Sequence, residues 1–250
     1  MSWPILISIS VFLYSFSVIL QRILLKDEKT EPISFAIFFQ LGVAVVTAIL
    51  VLLFVGKITL PNLSEISWNV LLMTVLYALA NVFLFKSLKT IEASRFAVIF
   101  SSKTLFAVLG VTIFLNEGLR LIQWVGALLI LAGVVTVSIK RLDLKIGKGD
   151  LFAFVAAILF GLANTNDRLL VGFFNPYSYV VLGFVLPAIL MSAFYPKSLL
   201  KMTIYFRRRF VNKMLLLCAM YGQSAVTFLR PFRPCLILQW FFQFMLLLGY

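Results

Sequence analysis

A chain of 250 residues that is 62% hydrophobic and 12% charged, with mean hydropathy +1.07, lies far outside the composition of water-soluble domains. No soluble core absorbs so much apolar surface, so the bilayer is the solvent, and the net charge of +13 belongs to the loops of a membrane protein. There is no histidine to serve as ligand, triad member or proton relay, and Cys218 and Cys235 lie in apolar stretches that suggest neither a disulfide framework nor a metal site.

A spanning helix takes about 20 apolar residues. Eight runs qualify: 3–25, 33–55, 66–88, 94–115, 121–139, 150–171, 177–195 and the shorter 214–229. The first lacks a basic n-region and a small-residue cleavage site, so it reads as a retained helix. Pro32 and Pro176 suit the opening turns of the second and seventh spans, where a missing N–H costs nothing. Asn116-Glu117-Gly118 makes a tight break before the fifth span, with Glu117 placed to favour its N-terminus. Gly126 and Gly133, two turns apart, offer one face for close helix approach. Residues 140–149 are a polar linker, and Pro187 is expected to kink the seventh span. A short apolar segment, 231–250, ends the sequence.

The basic residues are unevenly placed. Lys57, Arg120, Arg168, Arg230 and Arg233 fall on one side and Lys103 lies within a span, leaving 16 of the 22 after the first, third, fifth and seventh spans. By the positive-inside rule those loops are cytoplasmic and the N-terminus is outside. Charges strung over short loops do not make a nucleic-acid surface; the expected partners are membrane lipids and a small-molecule substrate, and a homodimer stays open.

The chain also repeats itself. Pro32-Ile33-Ser34-Phe35 returns as Pro176-Tyr177-Ser178-Tyr179 at an offset of 144, which also places Tyr77 on Tyr221 and Lys86 on Arg230, while Arg22 and Arg168 are 146 apart. A five-helix repeat contains an odd number of crossings, so its second copy enters the membrane inverted. The basic cluster accordingly moves to the loop after the seventh span, the counterpart of the second.

Candidate chemistry is confined to polar residues inside the apolar runs. Lys103 sits near mid-span, too deep to snorkel, and reads either as meeting an anionic group of a substrate or as half of a structural ion pair; Ser101, Ser102 and Thr104 extend its polar face. Asn164, Thr165, Asn166, Asp167 and Arg168 form a polar burst that needs internal partners. Asn164 and Asp167 share a helix face, and Asp167 can bind a proton, complement Lys103 or pair with Arg168. Tyr77 and Asn81 share a face on the third span, where the phenol can reach substrate or simply pack; Gln223 has the same two readings on the eighth. Gln21 and Gln40 are read as helix glue. The expected substrate-binding set is Lys103, Tyr77, Asn81, Ser101, Ser102, Asn164, Asn166, Asp167 and Gln223. No cofactor, no metal and no catalytic residue is expected.

Phe85-Lys-Ser-Leu88, Ile91-Glu-Ala-Ser94, Phe114-Leu-Asn-Glu117 and, more specifically, the block from Gln123 to Val134 resemble the EamA domain of the drug/metabolite transporter superfamily. The resemblance covers about residues 5–230. It implies an all-α polytopic membrane protein of two inverted five-helix repeats that carries small metabolites, often outward, at the plasma membrane. It also implies cytoplasmic termini, against the charge count. On this reading residues 1–139 are a first repeat, 140–149 a linker, 150–230 an incomplete second repeat and 231–250 a divergent tail, with about eight spans in all. The tail is expected to reflect a frameshifted or truncated gene, the alternative being a divergent ending; the chain is then unstable or inactive in transport. Two other readings stay open: a non-transporting remnant, and a membrane-embedded lipid-modifying enzyme, which would need paired acids or a metal cluster.

Overall fold

The computed structural model describes residues 3–27, 30–62, 64–115, 147–206 and 208–229, together with 124–126, 128, 129, 132 and 133. Among these residues every regular element is helical: α1 (Trp3–Leu25), α2 (Pro32–Val55), α3 (Ser67–Thr90), α4 (Ala93–Ser101), α5 (Lys103–Phe114), α6 (Lys148–Leu170), α7 (Pro176–Phe194), α8 (Pro196–Leu200), a 3-10 helix (Lys201–Phe206) and α9 (Arg208–Leu229). Five helices are long and apolar enough to cross a membrane, at Pro32–Leu53, Ser67–Thr90, Ser94–Phe114, Lys148–Leu170 and Tyr177–Phe194, and Phe12–Leu25 and Phe210–Gly222 are shorter apolar runs. Of the eight expected spans, the fifth lies mostly outside the described residues, as do the turn at Glu117, the linker and the tail 231–250. The helices fall into two compact units, Met1–Ser67 with Val171–Tyr250, and Trp68–Leu170.

In the first unit the two Pro-initiated helices begin alike. Glu31 Oε2 accepts from Ser34 N at 3.0 Å, and Asn175 Oδ1 accepts from Tyr177 N at 3.1 Å, each capping N–H groups that the helix itself leaves unbonded. α2 and α7 run antiparallel: Val51, near the end of α2, packs on Tyr177 and Val181, near the start of α7. The Thr59 amide donates to Ser178 Oγ at 2.9 Å beside them. α9 runs parallel to α2, with Gly42 facing Cys218 and Gly222 facing Val46 and Thr47. α7 continues through Pro187 as a single assigned helix.

In the second unit α6 is the common element. α3 lies antiparallel to it, tied by Asn166 Nδ2 donating to Asn69 O at 2.8 Å, by Phe83 on Phe152 at 5.8 Å, and by Ser87 Oγ donating to Gly149 O at 2.8 Å. α4 and α5 run parallel to α6, from the Arg95–Asp150 ion pair at 2.6 Å to Thr165 Oγ1 donating to Ala107 O at 3.3 Å. Gly149, Ala153, Ala157, Gly161 and Thr165 recur every four residues on α6 and are all buried. Such a small-residue row lets helix backbones approach closely in a membrane. At Gly161 a Cβ would stand 2.8 Å from Lys103 O and 2.9 Å from Ala107 N. Close approach is therefore found at Gly161 and at Gly110, which faces Thr165; Gly133 has nothing within 4 Å of a Cβ among the described residues.

The fourth span, expected over 94–115, is found at Ser94–Phe114, and within it the helix is divided only at Ser102, whose φ of −61° and ψ of −14° stay in the helical region. The cause is local. Ser101 Oγ donates to Val98 O and Ser102 Oγ to Ile99 O, both at 2.6 Å, and Ser102 N turns to Ile99 O at 3.2 Å. Hydroxyls bonded back to their own helix carbonyls bend it.

Candidate functional site

Three half-spans of the second unit converge near mid-depth. Tyr77 is the eleventh of 24 residues in α3, Lys103 the tenth of the 21 in Ser94–Phe114, and Phe160 the thirteenth of 23 in α6. The Lys103 ammonium lies 4.6 Å from the centre of the Phe100 ring. Phe100 meets Phe160 edge-on at 5.2 Å, and Phe160 meets Tyr77 edge-on at 5.6 Å. The Tyr77 hydroxyl in turn donates to Asp167 Oδ2, and Asn164 Oδ1 lies 3.2 Å from the Tyr77 hydroxyl oxygen. One hydroxyl proton serves one acceptor at a time, and the carboxylate is the stronger.

The result is a continuous line of side chains, cationic at one end and acidic at the other, with three aromatic rings between. Lys103 is half-buried, and among the described residues no carboxylate lies within ion-pair distance of it. Its recorded neighbour is an aromatic face, which contributes about 0.5–2 kcal/mol and uses none of the three N–H donors. The carboxylate at the other end is engaged by Tyr77 rather than by Lys103.

Several expected site residues take other roles. Asn81 is buried and its amide donates to Tyr77 O at 2.8 Å, within its own helix. Ser101 and Ser102 spend their protons on Val98 O and Ile99 O, which makes them the cause of the helix division beside Lys103. Asn166 is buried and ties α6 to Asn69 of α3. The Gln223 side chain lies outside the described residues, on a helix of the first unit. Phe100 and Phe160 are additions: both are apolar and neither is marked by type, although Phe100 precedes Lys103 by three residues and Phe160 precedes Asn164 by four, which places each pair on one helix face.

The counterpart of Tyr77 has its own aromatic surroundings in the first unit. Tyr221 meets Phe39 at 5.1 Å, Tyr14 at 5.6 Å and Phe184 at 5.8 Å. No hydroxyl bond to an acid is recorded there; the tyrosine is held by rings alone among the described residues.

The geometry is that of a membrane protein with a polar and charged line inside one helical unit. No curated protein matches the chain. The EamA-like transporter family matches residues 1–139, more than half of the sequence, and the chain therefore belongs to that family of membrane transporters.

Proposed function

We propose that this protein carries a small metabolite bearing an anionic group across the plasma membrane, with Lys103 as the residue that meets that group. The observation that carries the reading is the position of Lys103: a mid-span cation set against an aromatic face, with no carboxylate at ion-pair distance among the described residues. An ammonium in that setting is costly unless a ligand or water completes its shell.

Carriage by alternating access between two inverted five-helix repeats is supported by the directions of the helices. α2 and α7, repeat mates at offset 144, pack antiparallel, as inverted copies must and direct copies cannot. The parallel course of α5 and α6 calls for one crossing between them, and the apolar run 121–139 is long enough in sequence to make it.

The test is counterflow in proteoliposomes. The purified chain, loaded in turn with mono-anionic, zwitterionic and cationic metabolites, should exchange the anionic ones, and Lys103→Gln should abolish that exchange while the protein stays monodisperse. Exchange of cations alone, or undiminished anion exchange by the variant, would refute the role of Lys103.

A further inference from the structure

The connection between α7 and α9 and the first turns of α9 hold six cationic residues, Lys197, Lys201, Arg207, Arg208, Arg209 and Lys213, and residues 194–213 contain no Asp or Glu. It is not a slack loop, because α8 and the 3-10 helix fill it. One of its faces is fixed to the first unit. Ser198, Met202 and Tyr205, spaced four and three residues apart, are buried. Tyr205 is 1% exposed, lies 6.3, 5.4 and 4.9 Å from the rings of Phe35, Phe38 and Phe210, and donates its hydroxyl to Glu31 O at 3.2 Å.

Away from those buried residues the segment carries exposed apolar side chains, although Phe206 also meets Phe38 edge-on at 5.5 Å. Leu200 is 78% exposed and Phe206 69%, with Phe194 at 73% where α7 ends, and Lys197 and Lys201 are exposed among them. In water, bare Leu and Phe beside lysines gain nothing. At a bilayer surface both kinds of side chain are accommodated, the apolar ones at the acyl boundary and the ammonium groups among the headgroups. The sign of the charge selects the headgroup, since six cations without a counter-charge in the segment complement an anionic leaflet and not a zwitterionic one.

We propose that α8 and the 3-10 helix form a platform that binds anionic phospholipid at the membrane surface, with Leu200 and Phe206 inserted and the exposed Lys197 and Lys201 holding phosphate groups. The platform stands on the first unit alone and does not depend on what the protein transports. Each cation at such a surface contributes roughly five-fold in affinity.

The experiment uses the full chain in micelles doped with equal phosphatidylglycerol and phosphatidylcholine, with retained lipid read by native mass spectrometry. The wild type should retain phosphatidylglycerol preferentially, and Lys197→Gln with Lys201→Gln, both at exposed positions, should reduce that preference by on the order of ten-fold or more. Separately, Phe206→Trp in vesicles of the two lipids should be quenched by acyl-brominated lipid and shielded from iodide. Equal retention of both lipids by the wild type would overturn the proposal. So would an undiminished preference in the double variant, or a tryptophan open to iodide, the outcome expected if the face docks a soluble acidic partner instead.

Discussion

Tyr77 and Tyr221, 144 residues apart, each meet an aromatic ring on the helix that opens the other half of the chain, and at the same separation: Tyr77 lies 5.6 Å from Phe160 of α6, and Tyr221 lies 5.6 Å from Tyr14 of α1. Tyr14 and Phe160 are themselves 146 residues apart, the spacing that separates Arg22 from Arg168. Two copies of one contact, each inside its own unit, fit the proposed inverted repeat. The copies differ in chemistry, because among the described residues the Tyr77 hydroxyl bonds an acid and the Tyr221 hydroxyl does not.

That difference is measurable. Tyr77→Phe keeps the ring against Phe160 and removes the donor to Asp167, so it should cost about 0.5–1.5 kcal/mol in detergent unfolding. A cycle with Asp167→Asn should return a coupling of at least about 0.5 kcal/mol. Strict additivity of the two substitutions would mean the bond does not form in the membrane protein.

Lys103 separates a structural role from a functional one. The contact with Phe100 is worth about 0.5–2 kcal/mol at most, and Lys103→Met retains the apolar stem, so the variant should insert and melt within a few degrees of the wild type. Substrate exchange should nonetheless fall below detection, with Lys103→Arg restoring part of it. Loss of the folded protein in Lys103→Met would make the residue a structural element instead.

Gly161 is predicted to be the least replaceable glycine of the second unit. A methyl group there meets the Phe106 side chain and, more seriously, backbone atoms of Lys103 and Ala107 at 2.8 and 2.9 Å. Helix backbones cannot yield as a flexible side chain can, so Gly161→Ala should destabilise by about 1–3 kcal/mol. Gly133→Ala, with nothing within 4 Å among the described residues, should be close to neutral. Thermal unfolding followed by size exclusion compares them directly, and equal midpoints would contradict the close packing of α5 on α6.

High pH offers a check on the interfacial segment. Burial, foremost, raises the Tyr205 phenol above its ordinary value. A raised acid keeps its proton longer when folded than when unfolded, so the stability it supports is complete below the unfolded value of about 10 and is lost as pH climbs through the folded value. Tyr205→Phe should flatten the alkaline limb of the stability profile relative to wild type. An identical limb in both proteins would place the phenol in water.

How much of this was legible in the sequence depends on which residues had a choice of partner. Tyr77, Asn164 and Asp167 are polar groups in apolar helices, and lipid offers them nothing, so their need for internal partners could be anticipated from type, whereas their meeting one another could not. Phe100 and Phe160 could not be singled out among 26 phenylalanines, because every one of them is content in lipid or in a core. Ser101 and Ser102 were visible as polar residues beside Lys103, but a hydroxyl can face a ligand or bond its own helix, and only the backbone geometry decides. The row from Gly149 to Thr165 carries its spacing of four openly. Gly126 and Gly133 carry a helical spacing as openly, and spacing alone does not say which face finds a neighbour.

Sidedness turns on the basic loops, and the structure makes the experiment feasible. Arg95 bonds Asp150, and Ser87 bonds Gly149, so the ends that carry the third and fifth loops are adjacent in the second unit, as two loops on one membrane face must be. Cys218 is buried against Gly42, which makes it a poor target for reagents and a site where Cys218→Ala trims one sulfur from a tight contact. On a background lacking Cys218 and Cys235, a membrane-impermeant maleimide added outside should modify Asn62→Cys and spare Arg208→Cys. Asn62 is exposed in the loop after α2, and Arg208 belongs to the basic cluster at the start of α9. The expectation follows from the 16 basic residues gathered on one side against five on the other. The opposite labelling pattern would put the N-terminus in the cytoplasm, and the cluster at residues 197–213 would then face the outer leaflet against the charge rule.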